Sequence, residues 1–198
     1  MSSLAEEIKI LEADLGARPM RIAAHSDMPF AIFRYSPQEE FGLRKHLRLL
    51  AIGLFQHHGL KVTFISLSRI VWETVRMFGE SDLFETERLR GFDAAQKHVH
   101  QLITSRDFKL AAESVLEKMK GLTPEKNIVF LVRAGGFAPY IHRTSQLLDS
   151  LHNRTLVPVI LFYPGSVEVG TDLRFFDLPV KGTPGVYNYR VKIYGARS

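Results

Sequence analysis

Between a short apolar run and a helical stretch stands the sequence Arg133-Ala134-Gly135-Gly136, the first place in this chain where chemistry can be sought. A glycine pair at such a turn lets backbone N–H groups approach an anion, and a following helix dipole, Arg133 and Arg143 add positive charge. Arg133, Gly135, Gly136 and Arg143 are therefore candidate anion-binding residues. A nucleotide P-loop also needs GxxxxGK[ST], whose lysine holds the phosphates and whose hydroxyl holds magnesium; neither that motif nor GxGxxG occurs here. Three readings of the turn stay open: a tight structural turn, an anion or nucleotide site, and a loop that docks a partner.

Eight histidines invite a metal, and His57-His58 and His98-Val99-His100 are the closest pairs. Neither has the i, i+4 spacing of HExxH, and helical positions two apart point to different faces. Solvated or locally hydrogen-bonded histidine is the better reading, and no metal is expected. His142 and Ser145 share a helix face at i, i+3, but GxSxG is absent and no third group orients the histidine. The expected strand ends lack the carboxylates of magnesium-dependent phosphoryl transfer. With no cysteine there is no thiol chemistry and no disulfide. The sequence thus predicts no catalytic residue, no cofactor and no enzymatic activity.

The last third is aromatic and basic by turns. Arg174, Phe175, Phe176, Tyr187, Tyr189 and Arg190 can be core packing of an edge strand, a protein interface rich in Tyr, Phe and Arg, or a stacking surface for single-stranded nucleic acid. They are the candidate partner-binding residues.

These side chains need a frame. Leu4, Ile8, Leu11 and Leu15 form one stripe of an acidic amphipathic helix within residues 1–20. Pro29–Tyr35 reads as a strand, and Ser36, Pro37 and Glu39-Glu40 suit the start of a helix that Gly59 ends. Lys61–Leu67 is a second strand, so the pattern is a parallel βαβ unit. Residues 68–122 read as a helical insertion broken near Gly79 and at Gly91. The runs Asn127–Val132 and Val157–Tyr163 are strands buried on both faces, with helical spacing from Ala138 to His152 between them. Val186–Tyr194 alternates as an edge strand should. The fold class expected is α/β, a Rossmann-like, mostly parallel sheet with flanking helices, in one domain over residues 1–198. Ligands of such sheets bind beyond the carboxyl ends of the strands, which places the turn after Val132 where a site belongs.

Length and composition agree with this. A chain of 198 residues, 45% hydrophobic and 24% charged, can build one core. No window approaches about 18 uninterrupted apolar residues and the first residues include acids, so neither secretion nor a membrane span is expected and a cytoplasmic location is. The net charge of +5 is spread out, which implies at most weak, non-specific attraction to nucleic acid.

Several segments in succession resemble the BrxB family of bacteriophage exclusion (BREX) systems. They are the strand Pro29-Phe30-x-Ile32-Phe33-x-Tyr35 with Pro37, the Lys61–Leu67 strand, Phe130-Leu131-Val132-x-Ala134-Gly135-x-Phe137-x-Pro139-Tyr140-Ile141, Leu147-Leu148, Phe162-Tyr163-Pro164-Gly165, Leu173-Arg174-Phe175-Phe176, and Asn188-Tyr189-Arg190. The order and spacing run over roughly residues 28–194. The chain departs from the family in carrying Arg133 where a small or hydroxyl residue is usual. The resemblance implies a component of a multi-protein antiphage system that also methylates host DNA and includes an ATPase, a methyltransferase and PglZ, an alkaline-phosphatase-like protein. The function it implies is a non-catalytic adaptor that binds another BREX protein, with PglZ first; the alternative is a degenerate nucleotide- or nucleic-acid-binding domain.

Overall fold

The computed structural model describes residues 3–22, 29–104, 110–137, 144–167, 173–175 and 191–195. The chain divides into two compact units: Met1–Phe64 with Gly121–Val132 and Leu156–Ser198, and Ile65–Lys120 with Arg133–Thr155.

The first unit is built on strands β1 (Phe30–Tyr35), β2 (Lys61–Ser66), β3 (Asn127–Val132), β4 (Val159–Val167) and β6 (Lys192–Tyr194), which form one parallel sheet in the order β2-β3-β4-β1-β6. The expected Rossmann-like α/β class is what the fold shows. A short β5 (Leu173–Phe175) pairs antiparallel with β4, Gly165 opposite Phe175. That pairing was not expected, and β4 itself runs four residues past the predicted Tyr163, through Pro164 and Gly165. The expected βαβ unit is also more open than its simplest form: β1 and β2 share the sheet, but β3 and β4 lie between them.

Helix α1 (Leu4–Gly16) starts with a capping box in which the Ser3 hydroxyl accepts from the Glu6 N–H and the Glu6 carboxylate accepts from the Ser3 N–H. Its stripe Ile8, Leu11 and Leu15 is buried in its own unit. Ser36 makes no side-chain cap; its hydroxyl bonds Gln38, residues Pro37–Glu39 form a 3-10 turn, and α2 (Glu40–His58) follows. Gly59 ends α2 at φ 68, and its N–H reaches back to Phe55 O at 3.0 Å. α2 turns Leu43, Leu47, Leu50 and Leu54 onto the same sheet face as α1, against Ala31, Phe33, Phe130, Ile160 and Phe162. There the rings form a row across four strands: Phe33 to Phe162 at 5.4 Å, Phe162 to Phe130 at 5.0 Å, and Phe130 to Phe64 at 5.6 Å. On the opposite face Phe30, Ile32, Val129, Leu131, Val159 and Leu161 are buried too, as the continuous apolar runs require.

The second unit holds α3 (Leu67–Phe78), α4 (Glu80–Arg90), α5 (Phe92–Thr104), α6 (Ala111–Lys118) and α7 (Thr144–Leu151), with breaks at Gly79 and Gly91. α3 opens on Ser66, whose hydroxyl accepts from the Arg69 N–H at 3.3 Å.

Candidate functional site

The glycine turn after β3 is a 3-10 turn, Ala134–Phe137. The residue in the left-handed region is Arg133, at φ 57, and not a glycine. That conformation costs an L side chain about 1–2 kcal/mol, and a hydrogen bond from the Ser68 hydroxyl to Arg133 O at 2.9 Å holds it. Gly136 lies directly against α3: a Cβ there would stand 2.6 Å from Ser68 Cα and collide with the serine side chain. Close approach of the turn to α3 is thus a steric reason for glycine at 136 that involves no ligand. Arg133 is exposed, Gly135 is half-buried, and Arg143 lies outside the described residues, as does His142.

At the carboxyl end of β1 a second constellation appears that sequence reasoning did not find. The buried Tyr35 hydroxyl bonds the Glu40 carboxylate, which also accepts from Arg44 Nε and Nη2 at 3.2 Å. Burial first, then the bond to Glu40, pushes the Tyr35 hydroxyl far above the ordinary phenol range. One residue earlier, Arg34 Nη1 donates to Gly165 O at 3.5 Å, and its buried Nε has no hydrogen-bond partner among the described residues.

The other polar cluster joins α1 to the sheet edge. Asp14 accepts from Arg21 Nε at 3.0 Å, Lys192 Nζ at 2.6 Å and the Tyr194 hydroxyl at 2.8 Å. Its acid–base groups hold one another and fix the end of β6.

The His57 and His58 rings are 6.3 Å apart and perpendicular, and His98 Nδ1 lies 3.4 Å from the Thr86 hydroxyl. Among the described residues no three His, Asp or Glu side chains are grouped as metal ligands. No described helix is long and apolar enough to cross a membrane.

Of the aromatic and basic set, Arg174 and Phe175 fall in β5, where the backbone is described; Phe176, Tyr187, Tyr189 and Arg190 lie outside the described residues. What the structure adds is a set of exposed apolar side chains in each unit. Phe41, Leu49, Ile52 and Phe55 of α2 are exposed in the first unit, and Trp72, Met77, Phe84, Leu89 and Phe92 in the second. The signal was in the sequence: α2 has too many large apolar residues for one buried stripe.

Together these features define a Rossmann-like parallel α/β fold with large apolar side chains exposed on several described helices. The sequence model of the family described as BREX protein BrxB matches residues 63–193, about two thirds of the chain, and the chain belongs to that family, a component of BREX phage-defence systems. The match begins after α2, so the Pro29–Pro37 segment that also carries the resemblance lies before it. No curated protein and no solved structure matches the chain.

Proposed function

We propose that this protein is a non-catalytic adaptor of its BREX system, binding another protein of that system, with PglZ the first partner to test. The observation that carries the reading is the row of large apolar side chains left in water along α2 of the first unit, Phe41, Ile52 and Phe55; in the second unit Trp72, Met77 and Leu89 are separately exposed. Single exposed apolar residues are ordinary, whereas grouped aromatic and aliphatic side chains mark contact surfaces. Arg174, Phe175, Phe176, Tyr187, Tyr189 and Arg190 are proposed to add to the contact, because Tyr and Arg are enriched where binding energy concentrates.

The experiment is affinity purification of the tagged full chain co-expressed with the other proteins of its BREX system, followed by gel filtration. A stable complex with at least one of them is expected. Arg174→Ala or Tyr189→Ala should weaken it by about 2 kcal/mol at a true hot spot while leaving the urea midpoint unchanged. Recovery of the chain alone would sink the adaptor reading.

A further inference from the structure

Helix α2 carries two stripes of the same spacing. Leu43, Leu47, Leu50 and Leu54, separated by four, three and four residues, face the sheet and are buried. Phe41, Lys45, Arg48, Ile52 and Phe55, separated by four, three, four and three, are all exposed, with Phe41 at 77%, Ile52 at 52% and Phe55 at 62%. Alternating steps of three and four average 3.5 residues, the repeat by which one helix follows another along a continuous seam. A helix whose outer face were made only for water would not repeat Phe, Ile and Phe at that interval.

The charge of the stripe is one-sided. No carboxylate follows Glu40 in α2, and Glu40 is held by Tyr35 and Arg44. Arg44 in turn lies over the Phe41 ring, 4.9 Å from its centre, which steadies the first apolar position of the stripe. Lys45 and Arg48 therefore stand mid-seam with no acid of their own helix to answer them. An example of what suits this helix is already packed against it: α1, an acidic amphipathic helix, lies so close that a Cβ at Gly53 would be 2.6 Å from Glu12 Oε1.

We propose that the outward stripe Phe41, Lys45, Arg48, Ile52 and Phe55 is a docking seam for an amphipathic helix of a partner protein, one that sets carboxylates opposite Lys45 and Arg48 and apolar side chains opposite Phe41, Ile52 and Phe55. A helix lying on an anionic membrane segregates its cations from its apolar face, whereas here the cations sit between the apolar residues. That mixture matches a complementary helix, in which charge fixes register and the flanking apolar contacts give affinity. The inference rests on the adaptor reading and names the surface and the chemistry of the partner.

The test replaces Phe55, and separately Ile52, by the photo-reactive amino acid benzoylphenylalanine in the tagged full chain, co-expressed with the other BREX proteins and irradiated. Cross-links to an acidic amphipathic segment of one of those proteins are expected, together with about a tenfold or greater loss of captured partner in the Lys45→Glu, Arg48→Glu double variant. Phe41→Ala with Phe55→Ala should give a comparable loss, with unchanged circular dichroism in every variant. A complex captured in undiminished amount by these variants, with no cross-link from α2, overturns the seam and leaves the adaptor reading standing. Failure of the wild-type chain to capture any BREX protein overturns both. Cross-links to a second copy of the chain, or flotation with anionic phosphatidylserine vesicles in place of protein capture, overturn the proposed occupant.

Discussion

Asp14 joins parts of the chain that are far apart in sequence, taking donors from Arg21, Lys192 and Tyr194. Burial is the largest single influence on its carboxyl and pushes its pKa up; the hydrogen bonds from Lys192 and Tyr194 and the charges of Lys192 and Arg21 together outweigh it, so the net shift is downward from 3.8. A depressed carboxyl contributes stability that is fully present above its unfolded value and is lost as pH falls through its folded value. Asp14→Asn should therefore lower stability by about 2 kcal/mol at neutral pH, and urea titrations should show the deficit shrinking below about pH 3.8. A deficit independent of pH would mean that shape, not charge, matters at this position. Its neighbours in α1 were legible because Ile8, Leu11 and Leu15 keep helical spacing. The Asp14 cluster was not, because Lys192 and Tyr194 are 178 and 180 residues away. At Gly136 the steric account makes a separate prediction. Gly136→Ala should destabilise the protein by about 1–3 kcal/mol through the contact with Ser68, measured by thermal or urea unfolding. Unchanged stability combined with lost phosphate binding would instead return this glycine to an anion site.

Helix α2 shows how far element patterns can be read and where they stop. Gly59 marked its end correctly, while Ser36 offered a cap that a 3-10 turn at Pro37–Glu39 displaced. β3 and β4 were found because continuous apolar runs need a sheet covered on both faces. The strand order was hidden, since nothing local in β1 records that β4, more than a hundred residues later, is its neighbour. β5 escaped notice because a three-residue strand has too few positions to show alternation. The two stripes of α2 give a direct contrast. Leu47→Ala removes a side chain buried against the sheet and should cost about 2–5 kcal/mol. Phe55→Ala, on the outward stripe, should change folding stability by no more than about 0.5 kcal/mol. Urea midpoints of the two variants decide it; a large loss for Phe55→Ala would make the outer stripe part of the fold and not a surface.

At the scale of the whole molecule the charge is uneven, with residues 1–40 holding four basic and seven acidic side chains, and the positive excess of the net +5 therefore falling on the remaining residues. Attraction to a polyanion depends on whether those cations are free and aligned. In the second unit they are interleaved with acids: Arg69 pairs with Glu73 at 3.3 Å, Lys118 with the same Glu73 at 2.8 Å, and Arg154 with Glu113 at 2.7 Å. On α4 the exposed Arg88 and Arg90 follow Glu85 and Glu87. Exposed pairs of this kind hold little energy, yet each must be loosened before its cation can serve a phosphate, and alternating signs leave no continuous basic track among the described residues of α4. Sequence readout would further require side chains delivered to base edges, which phosphate attraction does not supply. The isolated chain should accordingly bind DNA or RNA with a dissociation constant no tighter than about 10⁻⁵ M near physiological salt, equally for unrelated sequences. Binding should weaken steeply as salt rises from 50 to 200 mM, because what remains is counterion release from a few phosphates. Fluorescence anisotropy with two unrelated oligonucleotides at both salts measures it. Submicromolar, sequence-selective binding at the higher salt would require more than the exposed Lys45 and Arg48 of α2 supply, and would favour the nucleic-acid-binding reading over the proposed adaptor.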